Sequence, residues 1–246
     1  MQIEGAIALV TGANGGIGKE YVEALRKFGA AKIYACARKA EAVSDLVSLD
    51  PERIVPISLD ITDERSVKDA AAKCQDVNLL INNAGVGFNQ GLIAAPDLSR
   101  ARTEMEVNYF GTLAMCRAFV PILKRNGGGA IVNMLSMLAL VNIPFNGSYS
   151  ASKAAALSLT QGVRAELAAQ GTLVVAVMPG TVDTKMSKDY PPPKVSPTEV
   201  ATSALQAVID GIEEVYPGEQ ATEMAVQLRR DPKAVEKQLA QMLPRS

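Results

Sequence analysis

The sequence predicts a single doubly wound α/β domain built on a parallel sheet, and three observations carry that prediction. Strand-like and helix-like patterns alternate along most of the 246 residues. The strand runs, such as "NLLIN" and "LVVAVM", are continuously apolar, as required when helices cover both faces of a sheet. A glycine-rich turn, "TGANGGIG", joins the first strand pattern to the first helix pattern. In an open α/β sheet that is the edge where ligands bind.

The first strand, near 6–11, ends at Thr11, and an amphipathic helix follows over 17–28 through Ile17, Tyr21, Leu25 and Phe28, stopping at Gly29. Further strands are expected near 31–37, 53–59, 77–82, 129–135 and 172–178. Helical patterns fall between them, near 40–48, 63–74, 100–125 and 150–169. After the sixth strand, "TKMSKDYPPPKVSP" (184–197) carries three consecutive prolines and cannot join a helix or a central strand. It is read as a substrate-side loop, with a lid and a plain connector equally open. A helix over 198–211, a short strand near "EEVYP" and a polar helix over 219–243 complete the chain. No repeat or linker interrupts it, so residues 1–246 form one domain.

Composition removes several functions. Net charge is −1 and aromatics are 4%, which gives no basis for nucleic-acid binding. No apolar run approaches the ~18 residues of a membrane span. The three cysteines are far apart and no secretory leader precedes them, so they read as reduced thiols in the core of a cytoplasmic protein. Histidine is absent, which excludes a Ser-His-Asp triad, a Cys-His pair and a histidine-ligated metal. Proton chemistry then falls to Tyr, Lys, Asp, Glu or water.

The glycine turn itself has two readings. A triphosphate loop needs Gly-Lys-Ser/Thr, but Gly18-Lys19 is followed by Glu20 and the earlier glycine of that motif is replaced by Ala13. What remains is Thr11-Gly12-x-x-x-Gly16-Ile17-Gly18, which suits a pyrophosphate held at a helix N-terminus.

Further pieces recur after the later strands. They are Asp60-Ile61-Thr62, Asn82-Asn83-Ala84-Gly85, Ser136, Tyr149-x-x-x-Lys153 and "PGTVDT" from Pro179 to Thr184. Tyr149 and Lys153 are four apart and share a helix face. A nearby ammonium is expected to lower a phenol pKa by ~1–3 units, toward the range of a general acid–base.

Together these motifs resemble the short-chain dehydrogenase/reductase family, over a stretch from Ile3 to about Thr184. The resemblance implies a Rossmann-like sheet of strand order 3-2-1-4-5-6-7. It implies hydride transfer between a nicotinamide cofactor and a carbonyl or alcohol, with Tyr149 as proton donor and Ser136 orienting the carbonyl. Lys153 would also grip the nicotinamide ribose, and Asn108 would hold a water linking Lys153 to solvent. Gly12, Asn14, Gly16, Ile17 and Gly18 would hold the phosphates, and Asp60 and Ile61 the adenine. Asn83, Ala84 and Gly85 would contact the adenosine ribose region, and Pro179, Gly180, Val182 and Thr184 the nicotinamide end. A non-catalytic sensor of the redox cofactor normally lacks the Tyr or Lys. Lyase, epimerase or dehydratase relatives normally carry a larger substrate domain.

NADP(H) is the expected cofactor, with NAD less favoured. Where an NAD-preferring fold ends the second strand with an acidic residue, this chain has Ala37, followed by Arg38 and Lys39. A guanidinium and an ammonium suit a 2′-phosphate, whereas the neutral Asn14 moderates the preference. The substrate is a small carbonyl or alcohol, with Phe88, Val141, Phe145 and Met186 as candidate apolar lining. The charged C-terminus lacks the Asp-Gly-Gly turn of tetrameric relatives. That leaves a homodimer through 100–125 and 150–169 as open as a homotetramer.

Overall fold

In the computed structural model of the chain, which describes residues 1–244, the apolar runs become seven parallel strands. These are β1 (Ile7–Val10), β2 (Lys32–Ala37), β3 (Ile54–Ser58), β4 (Leu79–Asn82), β5 (Ala130–Met134), β6 (Leu173–Val177) and β7 (Glu214–Val215). They hydrogen-bond in the order β3-β2-β1-β4-β5-β6-β7, which is the expected order. Register follows the apolar runs, with Val10 beside Ala35 on one side and Ile81 on the other. Such pairing buries both faces, so every residue of β4 and β5 is buried.

Alternation along each strand divides the core in two. Ala8 and Val10 face α1 (Gly16–Lys27), α2 (Ser44–Leu49) and α7 (Pro197–Asp210), packing with Tyr21, Leu25, Leu46, Leu205 and Val208. Leu9 faces the other way, toward α3 (Glu64–Lys73), α5 (Thr112–Arg125) and α6 (Gly147–Leu167), with Val67, Phe119 and Leu159. The three cysteines are buried and unbridged. Burial pushes the Cys74 and Cys116 thiols up to about 12, so they behave as small core residues. No helix among the described residues is long and apolar enough to cross a membrane.

Three helical expectations need correction. The pattern over 40–48 is a short 3₁₀ turn (Ala40–Val43) followed by α2. The helix read over 100–125 is α4 (Ser99–Met105) joined to α5 through one π turn at Glu106–Gly111. A helical period does not disclose that extra residue, because the side chains before and after it remain amphipathic. The helix read over 219–243 is two helices, α8 (Glu219–Arg230) and α9 (Pro232–Leu239). Asp231 ends the first and caps the second, accepting from the Ala234 amide at 2.9 Å. Pro232 has no N–H for α8 to use, but it suits the first turn of α9.

One hydroxyl ties the first loop to the fourth strand. Thr11 Oγ1 donates to the Ile81 carbonyl at 3.3 Å and accepts from the amides of Asn83 and Ala84 at 2.9 and 3.0 Å. Thr11→Val keeps the shape and leaves both amides without an acceptor. Urea unfolding should show a loss of about 2–6 kcal/mol, from two donors at roughly 1–3 kcal/mol each. A loss below about 0.5 kcal/mol would mean that the stitch carries no such weight.

Candidate active site

The glycine loop leaves Thr11 and enters α1 at Gly16. Gly12 and Gly16 have φ of +65° and +51°, backbone that side-chain-bearing residues avoid. A Cβ on Gly18 would lie 2.1 Å from the Gly12 carbonyl oxygen, so the loop can fold back on its helix only with glycine there. The helix is capped by Gly15, has no side-chain cap, and carries no acidic residue in its first turn. In contrast, α3, α7 and α9 are each capped by a side chain, from Asp63, Ser196 and Asp231. The uncapped start of α1, at the positive end of a helix dipole, is therefore suited to an anion. Asn14, Gly15 and Gly16 are exposed beside it, and Ile17 anchors the turn in the core.

At the end of β2, Ala37 is buried while Arg38 and Lys39 project into solvent. Neither cation has a carboxylate partner among the described residues. Asp60 faces the same corner. Hydrogen bonds from Thr62 hold its carboxyl below the usual range, and the positive charge of Arg38 adds to this. Ile61 is buried with its side chain against Gly111 in the π turn.

After β4 the chain crosses the site in an extended loop, 83–91, fixed from both sides. The Asn83 amide group donates to the Thr11 and Gly12 carbonyls at 2.9 and 3.2 Å. Asn108, buried in the π turn, accepts from the Val86 amide and donates to the Val86 carbonyl, both at 2.9 Å. It also donates to Ser152 Oγ at 2.9 Å. One helical turn earlier, the buried Glu104 accepts from the Phe88 amide at 2.8 Å. Loop glycines permit close contact. A Cβ on Gly85 would lie 3.1 Å from Asn108 Oδ1 and 3.5 Å from Lys153 Nζ, and one on Gly87 would lie 2.9 Å from the Tyr149 ring.

Ser136 follows β5, and its hydroxyl accepts from the Leu138 amide at 3.2 Å. Tyr149 and Lys153 stand on the first turns of α6. Lys153 is 5% exposed, and its ammonium donates to the Met134 carbonyl at 2.8 Å while lying 5.7 Å from the Tyr149 ring centre. Burial lowers its pKa to about 8. Burial likewise raises the Tyr149 phenol well above its ordinary value, and only the Ser136 hydroxyl works the other way. The expectation that Lys153 pulls the phenol toward neutrality is therefore corrected. Burial disfavours both charged forms, and the lysine spends its hydrogen bond on a backbone carbonyl rather than on the phenol oxygen. Tyr149 is a protonated acid at neutral pH.

After β6, the Pro179 carbonyl accepts from the Met137 amide at 3.0 Å. Gly180 packs against Gln220 of α8, whose side-chain oxygen accepts from the Thr181 amide at 2.9 Å. Val182 pairs with Val195, closing the base of the proline-rich segment. Thr184 touches Gly16 through its methyl side and caps the turn at 185–187. Tyr190 then reaches over the site, donating to Asn89 and placing its ring edge-on to Phe145 at 5.7 Å. Val141 and Phe145 pack under α8 and α9 with Val235 and Leu239, whereas Met186 is 48% exposed.

The sequence-predicted residues thus fall on one edge of the sheet, around the uncapped start of α1. Glu104, Gly87 and Gln220 were not singled out, while Tyr190 lies in the 184–197 segment read as a substrate-side loop. Only Glu104 had a local signal, a carboxylate four residues before Asn108 on the same helical face.

Similarity to known proteins agrees with this arrangement. A short chain dehydrogenase domain model matches residues 6–194. A short chain dehydrogenase from Monascus purpureus is 36% identical over 199 residues, covering 76% of this chain and 68% of that protein. The crystal structure of a short chain dehydrogenase from Burkholderia cenocepacia in complex with NADP superposes with a TM-score of 0.92. It has 50% identity and covers 97% of this chain and 99% of its own. A short chain dehydrogenase/reductase from Burkholderia phymatum in complex with NAD has 23% identity, with a TM-score of 0.85 over 100% of this chain and 99% of its own, and shows the shared fold. The chain belongs to the short-chain dehydrogenase/reductase family and is an oxidoreductase.

Proposed function

We propose that this oxidoreductase interconverts a ketone or aldehyde and an alcohol with NADP(H), using Tyr149 as general acid and base. The observation that carries the reading is the grouping of Tyr149 with Lys153, whose ammonium lies 5.7 Å from the phenol ring centre, and with the Ser136 hydroxyl after β5. The residues present fit a dinucleotide, since α1 opens without a side-chain cap or acidic residue next to glycines with room for a pyrophosphate. When bound, the cofactor supplies or accepts the hydride.

In this reading Gly12, Asn14, Gly16, Ile17 and Gly18 hold the phosphates, and Asp60 and Ile61 the adenine. Asn83, Ala84 and Gly85 border the adenosine ribose, and Pro179, Gly180, Val182 and Thr184 the nicotinamide end. Ser136 donates to the carbonyl oxygen and orients it toward the Tyr149 hydroxyl. Tyr149 gives up its proton as negative charge develops on that oxygen. Lys153, with a pKa near that of bulk buffer, returns a proton to the phenolate and binds the ribose. Asn108 holds the water that links Lys153 to solvent. Phe88, Phe145 and Tyr190 favour a substrate with an apolar body. A dimer through α4, α5 and α6 is favoured by Leu98 and Phe110, which are 61% and 50% exposed on that side.

Tyr149→Phe should fold and bind NADPH normally while turnover falls by roughly 10²–10⁴. Steady-state assays on a carbonyl panel test this, and one tenth of wild-type activity would contradict the assignment.

Lys153→Met should trade activity for stability. Below about pH 8 the ammonium is charged in both the folded and unfolded states, so the cost of burying it is fully present. As pH rises through about 8, the folded chain releases the proton before the unfolded one does, and the cost is relieved. The variant should gain about 1–2 kcal/mol at neutral pH after losing one hydrogen bond, with the gain shrinking toward pH ~10. Urea unfolding at both pH values reads this, and a variant less stable than wild type at neutral pH would refute it.

NADPH should be preferred over NADH by roughly 10- to 150-fold, from one charge-assisted contact of Arg38 worth ~1.5–3 kcal/mol. The NADP-bound relative at 50% identity and the unpaired Arg38 and Lys39 support the choice. Kinetics with both cofactors on the wild type and an Ala37→Asp, Arg38→Ala double variant decide it. The variant should swing toward NADH, and a wild type that already prefers NADH would overturn the reading.

A further inference from the structure

The loop over Tyr149 is held by two side chains of one helix, and only one of them, Asn108, belongs to the reaction proposed above. Asn108 and Glu104 are four residues apart, and they bind Val86 and Phe88, two residues apart on an extended chain. One turn of helix advances about 5.4 Å and two extended residues about 6.6 Å, so the spacings match closely enough for both bonds to form. Between the two anchors sits Gly87, whose backbone lies directly on the Tyr149 ring. The Glu104 carboxyl is therefore held beside that ring by way of a single residue.

The second carboxyl oxygen of Glu104 has no function yet. The side chain is fully buried, Oε1 is used by Phe88, and Oε2 has no hydrogen-bond partner. No Lys or Arg is paired with it among the described residues. Arg100, one turn earlier on α4, is stacked over the Phe88 ring at 5.7 Å. A buried carboxyl with an idle oxygen costs stability, and a purely structural clamp for one amide could be neutral.

We propose that Glu104 is a positioning residue for Tyr149: its carboxylate pins Phe88 so that the 86–91 loop lies on the phenol ring, and it turns a negative charge toward that ring. The proposal rests on Tyr149 being the proton donor. Four other features face the phenol: Lys153 from α6, Ser136 from the end of β5, Tyr190 from the proline-rich segment, and the Gly87 backbone. Ser136 favours the phenolate, while Tyr190 and Glu104 oppose it. Burial is the main reason the phenol stays protonated, and Glu104, the only carboxylate acting on it, adds to that effect.

Glu104→Gln separates charge from clamp, because the amide oxygen can still accept from Phe88. Tyr149 is followed directly, by NMR titration of tyrosines labelled at the hydroxyl-bearing ring carbon, with its signal identified as the one missing in Tyr149→Phe. Glu104→Gln should shift the Tyr149 titration to lower pH, making the phenol about three- to ten-fold more acidic. The alkaline limb of carbonyl reduction, where the protonated phenol is required, should move by the same amount. Glu104→Met, which loses both charge and acceptor, should shift it in the same direction and also raise KM. A Tyr149 titration that is unmoved in both variants overturns the proposal. The reading of Tyr149 as proton donor fails separately, through retained activity in Tyr149→Phe.

Discussion

Placing a buried ammonium beside a partly buried phenol is the constraint around which the site is organised. Either group loses stability by ionising away from water, and the pair can tolerate burial only where fixed polar partners surround it. Lys153 finds the Met134 carbonyl at the end of β5, and Ser152 next to it is held by Asn108. Tyr149 lies under the 83–91 loop and beside the Ser136 hydroxyl. The same burial that keeps the phenol protonated brings the lysine to about 8. One environment thus prepares an acid and a group able to reprotonate it.

A parallel sheet makes this economical. All strands end at one edge, so the loops after β1, β4, β5 and β6 converge without any strand changing direction. Convergence alone does not hold loops in register, and here single side chains do so. Thr11 joins the first loop to the fourth, Asn108 and Glu104 fix the fourth loop to the helix beside it, and Gln220 fixes the sixth to α8. The π turn at 106–111 puts Asn108 where both its amide atoms reach Val86. The stabilising contacts and the candidate catalytic contacts are made by the same few residues. Substitutions there are expected to change stability and activity together.

The far side of the site is built from the C-terminal third. The proline-rich segment brings Tyr190 over Asn89 and Phe145, and α9 packs Val235 and Leu239 on Ile143. The Tyr190–Asn89 contact joins pieces of chain about a hundred residues apart.

Much of this was legible from residues near one another in the chain. The strands followed from continuous apolar runs, the first helix from its period and glycine stop, and the candidate site from spacings such as Tyr149-x-x-x-Lys153. Absence of histidine restricted the proton chemistry before any coordinates. The split of the last helix at Asp231-Pro232 was also written locally, as a capping residue followed by a proline, and was missed in favour of a longer period. The direction of the Tyr149 and Lys153 shifts belongs to the tertiary structure alone, because desolvation depends on every element packed around a group. A pairwise argument from i,i+4 spacing sees only the attraction and not the lost water. The same holds for Glu104, Tyr190 and Gln220, whose partners lie 16, 101 and 39 residues away. Local sequence determined the elements and the reactive side chains; which of those side chains stay neutral was decided by what the fold packs against them.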